Sequence, residues 1–142
     1  MIHLPRSARA LIESGALAHL VTLAGDGSPR VACIWVGLDG DEIVAGHLNA
    51  EQPKLLRIAH NPRVALSLQS PEVNQMGLQE YLVVRGTARL EPGGAAEMLQ
   101  RLAHVYLGPQ AVFPSMPDPP PGVVSRITVE HIGGVGPWTE GR

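Results

Sequence analysis

The fold of this chain is decided by residues 46–66, GHLNAEQPKLLRIAHNPRVAL. Their order predicts the end of a strand, a short basic helix, a stop at Asn61-Pro62 and a new apolar strand. Asn49 is placed to cap the helix, and Gln52 to reach back to it as in a capping box. Pro53 falls in the first turn, where its missing N–H would have had no intrahelical partner. We therefore expect a well-formed helix between two strands.

Two cations lie on one side of this helix. Lys54, Arg57 and Asn61 are three and four residues apart and share one stripe. The apolar residues that turn toward the rest of the protein are Leu55, Ile58 and Ala59. The N–H groups of the helix start and the two cations would converge on one small volume, which suits a phosphate. The spacing alone leaves a solvated basic face equally open.

Composition restricts the classes of function. The chain has 142 residues, of which 44% are hydrophobic, and this suits one domain over residues 1–142 with a sizeable core. A formal net charge of -2 argues against nucleic acid or an anionic membrane as the main partner. The N-terminal 20 residues lack the continuous apolar core of a signal peptide, so a cytoplasmic location is expected. The single cysteine, Cys33, has apolar neighbours and is expected to be a buried structural thiol.

Most of the remaining chain predicts antiparallel strands joined by hairpins. Strand patterns occur at six places, which are residues 18–24, 31–38, 42–47, 64–69, 79–91 and 123–131. Helical patterns occur before Gly15, in the basic helix and at residues 93–106. Gly86, inside a strand, indicates a bulge, a close backbone approach or a simple bend. This order predicts a mainly β protein of the α+β class, with three short helices and a closed or split six-stranded antiparallel β-barrel.

Other kinds of site have little support in the sequence. The six histidines include no pair with the spacing of a helical zinc site, and with one cysteine no metal is expected. Dinucleotide fingerprints, phosphate-loop motifs and nucleophile elbows do not occur, so no catalytic side chain is assigned. Residues 108–122 contain six prolines and predict either a functional lid or a flexible connection.

The assembled pattern resembles the pyridoxamine 5'-phosphate oxidase-like flavin and deazaflavin oxidoreductases. The resemblance covers nearly the whole chain and depends on the order of its motifs, which are residues 26–31 (DGSPRV), 34–35 (IW), 39–41 (DGD), 54–66, 84–88 (VRGTA) and 136–138 (GPW). It implies a split β-barrel of the FMN-binding type and a homodimer with the cofactor at the subunit interface. The short chain and the GPW tail are most similar to the branch that depends on coenzyme F-420, a deazaflavin.

The resemblance also implies which residues bind the cofactor. Lys54 resembles the family's phosphate-binding lysine, and His47, Leu48 and Asn49 occupy the strand end that faces the phosphate. The strand along the ring and its ribityl chain would contain Arg30, Val31, Ala32, Cys33, Ile34 and Trp35. From the residue pattern, Arg57 and Asn61 join Lys54 on the helix, and Trp138 either packs in the core or forms a wall of the pocket.

The implied function is that of an oxidoreductase. Hydride would pass between bound F-420 and a small unsaturated or conjugated substrate, and FMN on the same scaffold is the closest alternative. The family often has Thr or Ser at the position of Leu48 and a basic residue at that of Pro53, so a hydroxyl donor and a cation are lost here. These losses motivate a second alternative, a cofactor-binding dimer without turnover. Glu130 and the short tail disfavour pyridoxamine phosphate as the substrate.

Overall fold

The computed structural model describes residues 2–139, and they form seven strands and three α-helices. In chain order the elements are α1 (Arg6–Ile12), β1 (Ala18–Leu23), β2 (Pro29–Ile34), β3 (Gly37–Asp39), β4 (Glu42–His47), α2 (Pro53–His60), β5 (Arg63–Val73), β6 (Gln79–Pro92), α3 (Ala95–Tyr106) and β7 (Val123–Val135), followed by a 3₁₀ turn at Pro137–Thr139. The strands form one antiparallel sheet in the order β2-β1-β5-β6-β7-β4-β3. No helix within residues 2–139 is both long and apolar enough to cross a membrane.

The predicted split barrel is confirmed, but it has seven strands instead of six. Residues 31–38, predicted as one strand, break at Trp35 and Val36 into β2 and β3. β2 pairs with β1 at one edge of the sheet, whereas β3 pairs with β4 at the other. The Val36 N–H therefore has no ladder partner and donates to the Tyr106 hydroxyl over 3.0 Å. Trp35 and Val36 thus carry the chain across the split between the two edges.

Gly86 lies where β6 and β7 slip in register. The shift falls between Arg85 and Gly86, so the bulge alternative is what the structure contains. A Cβ atom built on Gly86 would lie 2.0 Å from the carbonyl oxygen of Thr128, a contact that no other residue type allows without backbone movement. The close backbone approach is also present, and a simple bend does not account for this position.

The buried thiol predicted for Cys33 is wrong, because its side chain is exposed. Side chains of β2 alternate between the two faces of the sheet, and Cys33 lies opposite exposed His19 of β1. Ile34, the next residue, is the one that enters the core. The apolar run therefore has one face in the core and one face outside it.

Candidate functional site

A cavity of about 210 Å³ lies at the split of the barrel. Its walls come from elements far apart in the sequence, namely Leu17, Cys33, Ile34, Trp35, Gly46, His47, Lys54, Leu99 and Phe113. The ends of β2 and β4 both contribute to the walls, although the two strands are not neighbours in the sheet. Because α2 follows β4 and contributes Lys54, the stretch that decided the fold also forms one side of this cavity.

Lys54 is the only lysine of the chain and has no partner within residues 2–139. Its side chain is half-buried, because Leu55 and Ile58 on the same helix are buried in the core and hold α2 against the barrel. Burial lowers the pKa of the Lys54 ammonium, and the charge of Arg57 lowers it further. A partly desolvated ammonium without a carboxylate is a favourable place for an anionic ligand.

His47 lies beside Lys54 as a buried neutral group. The distance between its Nε2 and the Ser125 hydroxyl oxygen is 2.9 Å, and both residues are 3% exposed. Burial lowers the pKa of His47 to about 4, and the Lys54 charge contributes in the same direction. His47 is therefore uncharged near pH 7, so the ammonium of Lys54 is the charge that this part of the cavity presents.

Neither Arg57 nor Arg30 lines the cavity, and the guanidinium of each donates to a hydroxyl elsewhere. The Arg57 Nε donates to the buried Thr22 hydroxyl over 2.7 Å. Thr22 is directly opposite Arg30 in the β1–β2 register, so the two side chains lie on one face of the sheet. The Arg30 guanidinium also donates to the Ser28 hydroxyl. The sequence did not point to Thr22, whose role depends on strand pairing and on a contact 35 residues away.

Two aromatic rings line the cavity, Trp35 and Phe113, and a third, Tyr106, packs against Trp35. The Trp35 ring stacks on Tyr106 with centroids 5.4 Å apart and planes at 15°. The Phe113 ring meets Trp35 edge-on, at 5.2 Å and 61°. The Tyr106 hydroxyl fixes this group by donating to the Ala16 carbonyl over 2.7 Å. Phe113 was missed, and the only sequence signal for it was the unusual length of the proline-rich loop that contains it.

Several predicted site residues lie away from this cavity. Val31 faces outward with 65% of its surface exposed, and Ala32, at the inner face of β2, pairs with Leu20. Asn61 accepts a hydrogen bond from the Arg63 N–H at the C-terminal end of α2. Trp138 is buried in the core, so the structure places it as a packing residue. Leu48 is half-buried and does not line the cavity.

The predicted start of α2 needs correction. The helix begins at Pro53 with Gln52 as its N-cap, and no side chain caps it. Asn49 is three residues earlier, where its side-chain oxygen accepts the Glu51 N–H at 2.9 Å. Asn49 thus stabilises the turn before the helix, and the capping box is wrong. Ala59, predicted to face the core, is exposed.

The arrangement can receive a molecule with an anionic end and a flat ring. An ammonium that is unpaired among residues 2–139 lines the cavity together with two aromatic rings, and no carboxylate of these described residues does. Complete ligand pockets usually enclose about 300–1,000 Å³. At about 210 Å³, this cavity provides only part of the enclosure that such a molecule needs.

Comparison with known proteins places this geometry in a wider group. The family model for pyridoxamine 5'-phosphate oxidase matches residues 4–136. A solved structure described as an F420 reductase is 27% identical, with a TM-score of 0.75, and the match covers 92% of this chain and 98% of that one. A putative pyridoxamine 5'-phosphate oxidase from Listeria innocua (21% identity, TM-score 0.67, 91% and 95% covered) has the same fold. So does an FAD-binding protein from Mesorhizobium loti (22% identity, TM-score 0.63, 92% and 94% covered). No curated protein matches the chain.

Proposed function

The chain belongs to the pyridoxamine 5'-phosphate oxidase family, and we propose that it is an oxidoreductase that binds a phosphate-bearing flavin or deazaflavin in the split of its barrel. Within that class we propose coenzyme F-420 as the cofactor and hydride transfer to or from a small unsaturated or conjugated molecule. The likeness to a protein described as an F420 reductase supports this choice, and FMN is the alternative. A cytoplasmic location, expected from the sequence, stays a prediction.

One observation carries the proposal, namely that Lys54, half-buried and unpaired among the described residues, lines a cavity together with the aromatic rings of Trp35 and Phe113. A buried cation without a partner is unfavourable in the empty protein, so a ligand phosphate that pairs with it gains a charge-assisted contact. His47 stays neutral and bonded to Ser125, and thus adds hydrogen-bonding capacity without a second charge. Neither group is an acid or a base in the proposed reaction.

The cofactor, when bound, supplies the hydride chemistry, and the protein supplies binding, orientation and exclusion of water. Lys54 would hold the phosphate, while Trp35 and Phe113 would limit the tilt of the ring. Arg57 is held by Thr22 and would act on the phosphate through its charge. We assign no catalytic side chain, because the cofactor supplies the hydride chemistry and none of the titratable groups of residues 2–139 that line the cavity, His47, Lys54 and Cys33, is needed as a nucleophile.

We further propose that the protein is a homodimer with the cofactor at the subunit interface. The cavity is too small and too open to enclose a three-ring cofactor in one subunit. Leu17 in the cavity wall is 46% exposed, and Val31 on the outward face of β2 is 65% exposed, so both offer apolar surface that a second subunit can cover. Sedimentation equilibrium with and without cofactor tests this, and a monomer in both conditions would contradict it.

The decisive experiment combines two titrations with chemical protection of Lys54. FMN and F-420 are titrated separately into the protein and followed by fluorescence. In parallel, the protein is acetylated with and without each cofactor. Because Lys54 is the only lysine, mass spectrometry reads its modification directly, and the N-terminal amine serves as the internal control. Binding that protects Lys54 but not the N-terminal amine supports the proposed phosphate site. Binding of neither cofactor would contradict the oxidoreductase proposal.

Substitution of Lys54 gives the matching affinity measurement. Lys54→Ala is expected to weaken the bound cofactor by about 1.5–3 kcal/mol, or roughly 10- to 150-fold, since a charge-assisted contact is lost. Arg6→Ala removes the same charge from an exposed position on α1 and is expected to leave the affinity unchanged. Equal dissociation constants for Lys54→Ala and wild type would mean that Lys54 belongs to a solvated helix face and does not bind the cofactor.

A cofactor-binding dimer without turnover remains the second candidate. Leu48 provides no hydroxyl and Pro53 no cation, so the phosphate site is poorer than the family pattern implies. Tight binding of a reduced cofactor that is then not oxidised by any of a panel of enones, quinones and nitroaromatics would favour this candidate.

A further inference from the structure

The loop between α3 and β7, residues 107–122, carries an aromatic ring into the candidate site. Phe113 lines the cavity together with Lys54 and His47, and its ring meets Trp35 edge-on. The other walls belong to strands, to helices or to the segments next to them, whereas Phe113 comes from a loop that forms no ladder with the sheet. The position of this wall therefore depends on what fastens the loop.

Gln100 on α3 fastens the loop on both sides of Val112. Its side-chain oxygen accepts the Phe113 N–H at 3.0 Å, and its side-chain nitrogen donates to the Ala111 carbonyl at 2.8 Å. The oxygen and the nitrogen of one side-chain amide therefore bind two loop residues, Phe113 and Ala111, that are two positions apart. His104, one turn further along α3, lies 2.9 Å from the same nitrogen. The Gln100 side chain therefore holds the backbone of Phe113 to α3 through both its hydrogen-bond donor and its acceptor.

We propose that Phe113 is the specificity-determining wall for the ring end of the cofactor and that Gln100 is the residue that positions it. The inference rests on the proposed function and extends it from the phosphate end of the site to the ring end. Trp35 already has Tyr106 stacked on its face, so Phe113 is the ring at this end without a parallel partner. A flat ligand ring in this cavity would gain an aromatic contact with Phe113, and such contacts depend on the ring and its substituents.

The test separates the ring end from the phosphate end. Dissociation constants are measured for FMN and F-420, and inorganic phosphate is tested separately through its protection of Lys54 from acetylation. Phe113→Ala is expected to weaken the more tightly bound of the two cofactors about 10-fold and the other by a different factor, as loss of an aromatic contact that depends on the ring predicts, with phosphate protection unchanged. Val112→Ala is the matched control, because Val112 is the adjacent residue, 72% exposed and absent from the cavity wall.

Gln100 is tested by the same comparison of cofactor binding with phosphate protection. Gln100→Ala releases both loop contacts and is expected to weaken the ring-bearing cofactors in the same direction as Phe113→Ala, with phosphate protection unchanged. Gln100→Glu keeps an acceptor for the Phe113 N–H but loses the donor to Ala111, so an intermediate loss is expected. A residue that only supported the fold would lower the unfolding midpoint and affect ring and phosphate alike.

The outcomes distinguish this inference from the proposed function. If wild type binds neither FMN nor F-420, the proposed function fails and the inference fails with it. If wild type binds a cofactor and Phe113→Ala binds it equally well, the inference alone is overturned. Equal losses of cofactor and phosphate in Phe113→Ala would also overturn it, because Phe113 would then act through Lys54. Phe113→Leu, which keeps an apolar side chain but no ring, replaces the alanine variant if that variant does not fold.

Discussion

The buried His47 is expected to make the stability of this protein depend on pH. Burial lowers its pKa in the folded protein to about 4. In the unfolded chain a histidine titrates near pH 6.5. As the pH falls through this interval, the unfolded chain binds a proton at His47 that the folded protein does not. The stability from the neutral histidine is therefore complete above about pH 6.5, is lost between about pH 6.5 and 4, and does not change further below that range.

The magnitude follows from the two pKa values. At pH 5 His47 is almost fully protonated in the unfolded chain and only about a tenth protonated in the folded protein, so the free energy of unfolding falls by about 2 kcal/mol between pH 7 and pH 5. Urea unfolding at the two pH values measures this loss. His47→Gln keeps an amide that can reach Ser125 but does not titrate, and its loss is expected to be smaller by about the same 2 kcal/mol.

His60→Gln provides the control, because His60 is exposed at the end of α2. It is expected to lose as much stability as wild type. Carboxylates that titrate in this range contribute equally to all three proteins and cancel in the comparison. Parallel losses in wild type and His47→Gln would refute the reasoning, since they would mean that His47 is protonated as easily in the folded protein as in the unfolded chain.

Two further substitutions test the connections that shape the split. Gly86→Ala would place a Cβ atom 2.0 Å from the Thr128 carbonyl oxygen, so we expect a loss of about 3 kcal/mol in urea unfolding. Gly25→Ala, where a Cβ atom has nothing within 4 Å, is its control, and equal small losses in both would contradict the close approach. Tyr106→Phe leaves the N–H of buried Val36 without its partner and is expected to cost about 1–3 kcal/mol. An unchanged midpoint would mean that water or another group satisfies Val36.

The basic helix was predictable because its signals are local. Leu55 and Ile58 are three residues apart, and Lys54 and Arg57 share the same spacing one residue earlier, so helical periodicity alone separates the buried face from the cationic one. The strand end before it and the apolar strand after it are equally local features. The capping prediction failed because Asn49 forms a turn with Glu51 at the nearest N–H, a choice that spacing does not reveal.

The break in the second predicted strand was not predictable from local pattern. Residues 31–38 form one apolar run, and such a run reads as a single buried strand. Its interruption at Trp35 depends on where the two edges of the sheet end and on the Tyr106 hydroxyl, 70 residues away in sequence from Val36. The exposure of Cys33 has a related cause, because an apolar pattern does not tell which of its faces the same chain covers.

The complete cavity was likewise beyond the sequence, because its parts come from many elements. Lys54 and Trp35 were found through their motifs, but Phe113 is brought to them by a proline-rich loop and the Gln100 amide. Thr22 acquires its role only when Arg57 reaches across from α2. Such contacts join residues that are far apart in the chain, and neither periodicity nor composition encodes them.

Under the proposed function, two departures from the pattern that the resemblance implies would leave most of the phosphate binding to Lys54. Pro53 has no cationic side chain and no N–H, Leu48 has no hydroxyl, and Arg57 is already engaged with Thr22. A phosphate is common to FMN and F-420 and cannot distinguish them, so Lys54→Ala is expected to weaken both by the same factor. Discrimination must then come from the ring end, where Phe113→Ala is expected to change the ratio of the two dissociation constants. Titrating both cofactors into both variants measures the two ratios. A changed ratio in Lys54→Ala with a constant ratio in Phe113→Ala would reverse this assignment.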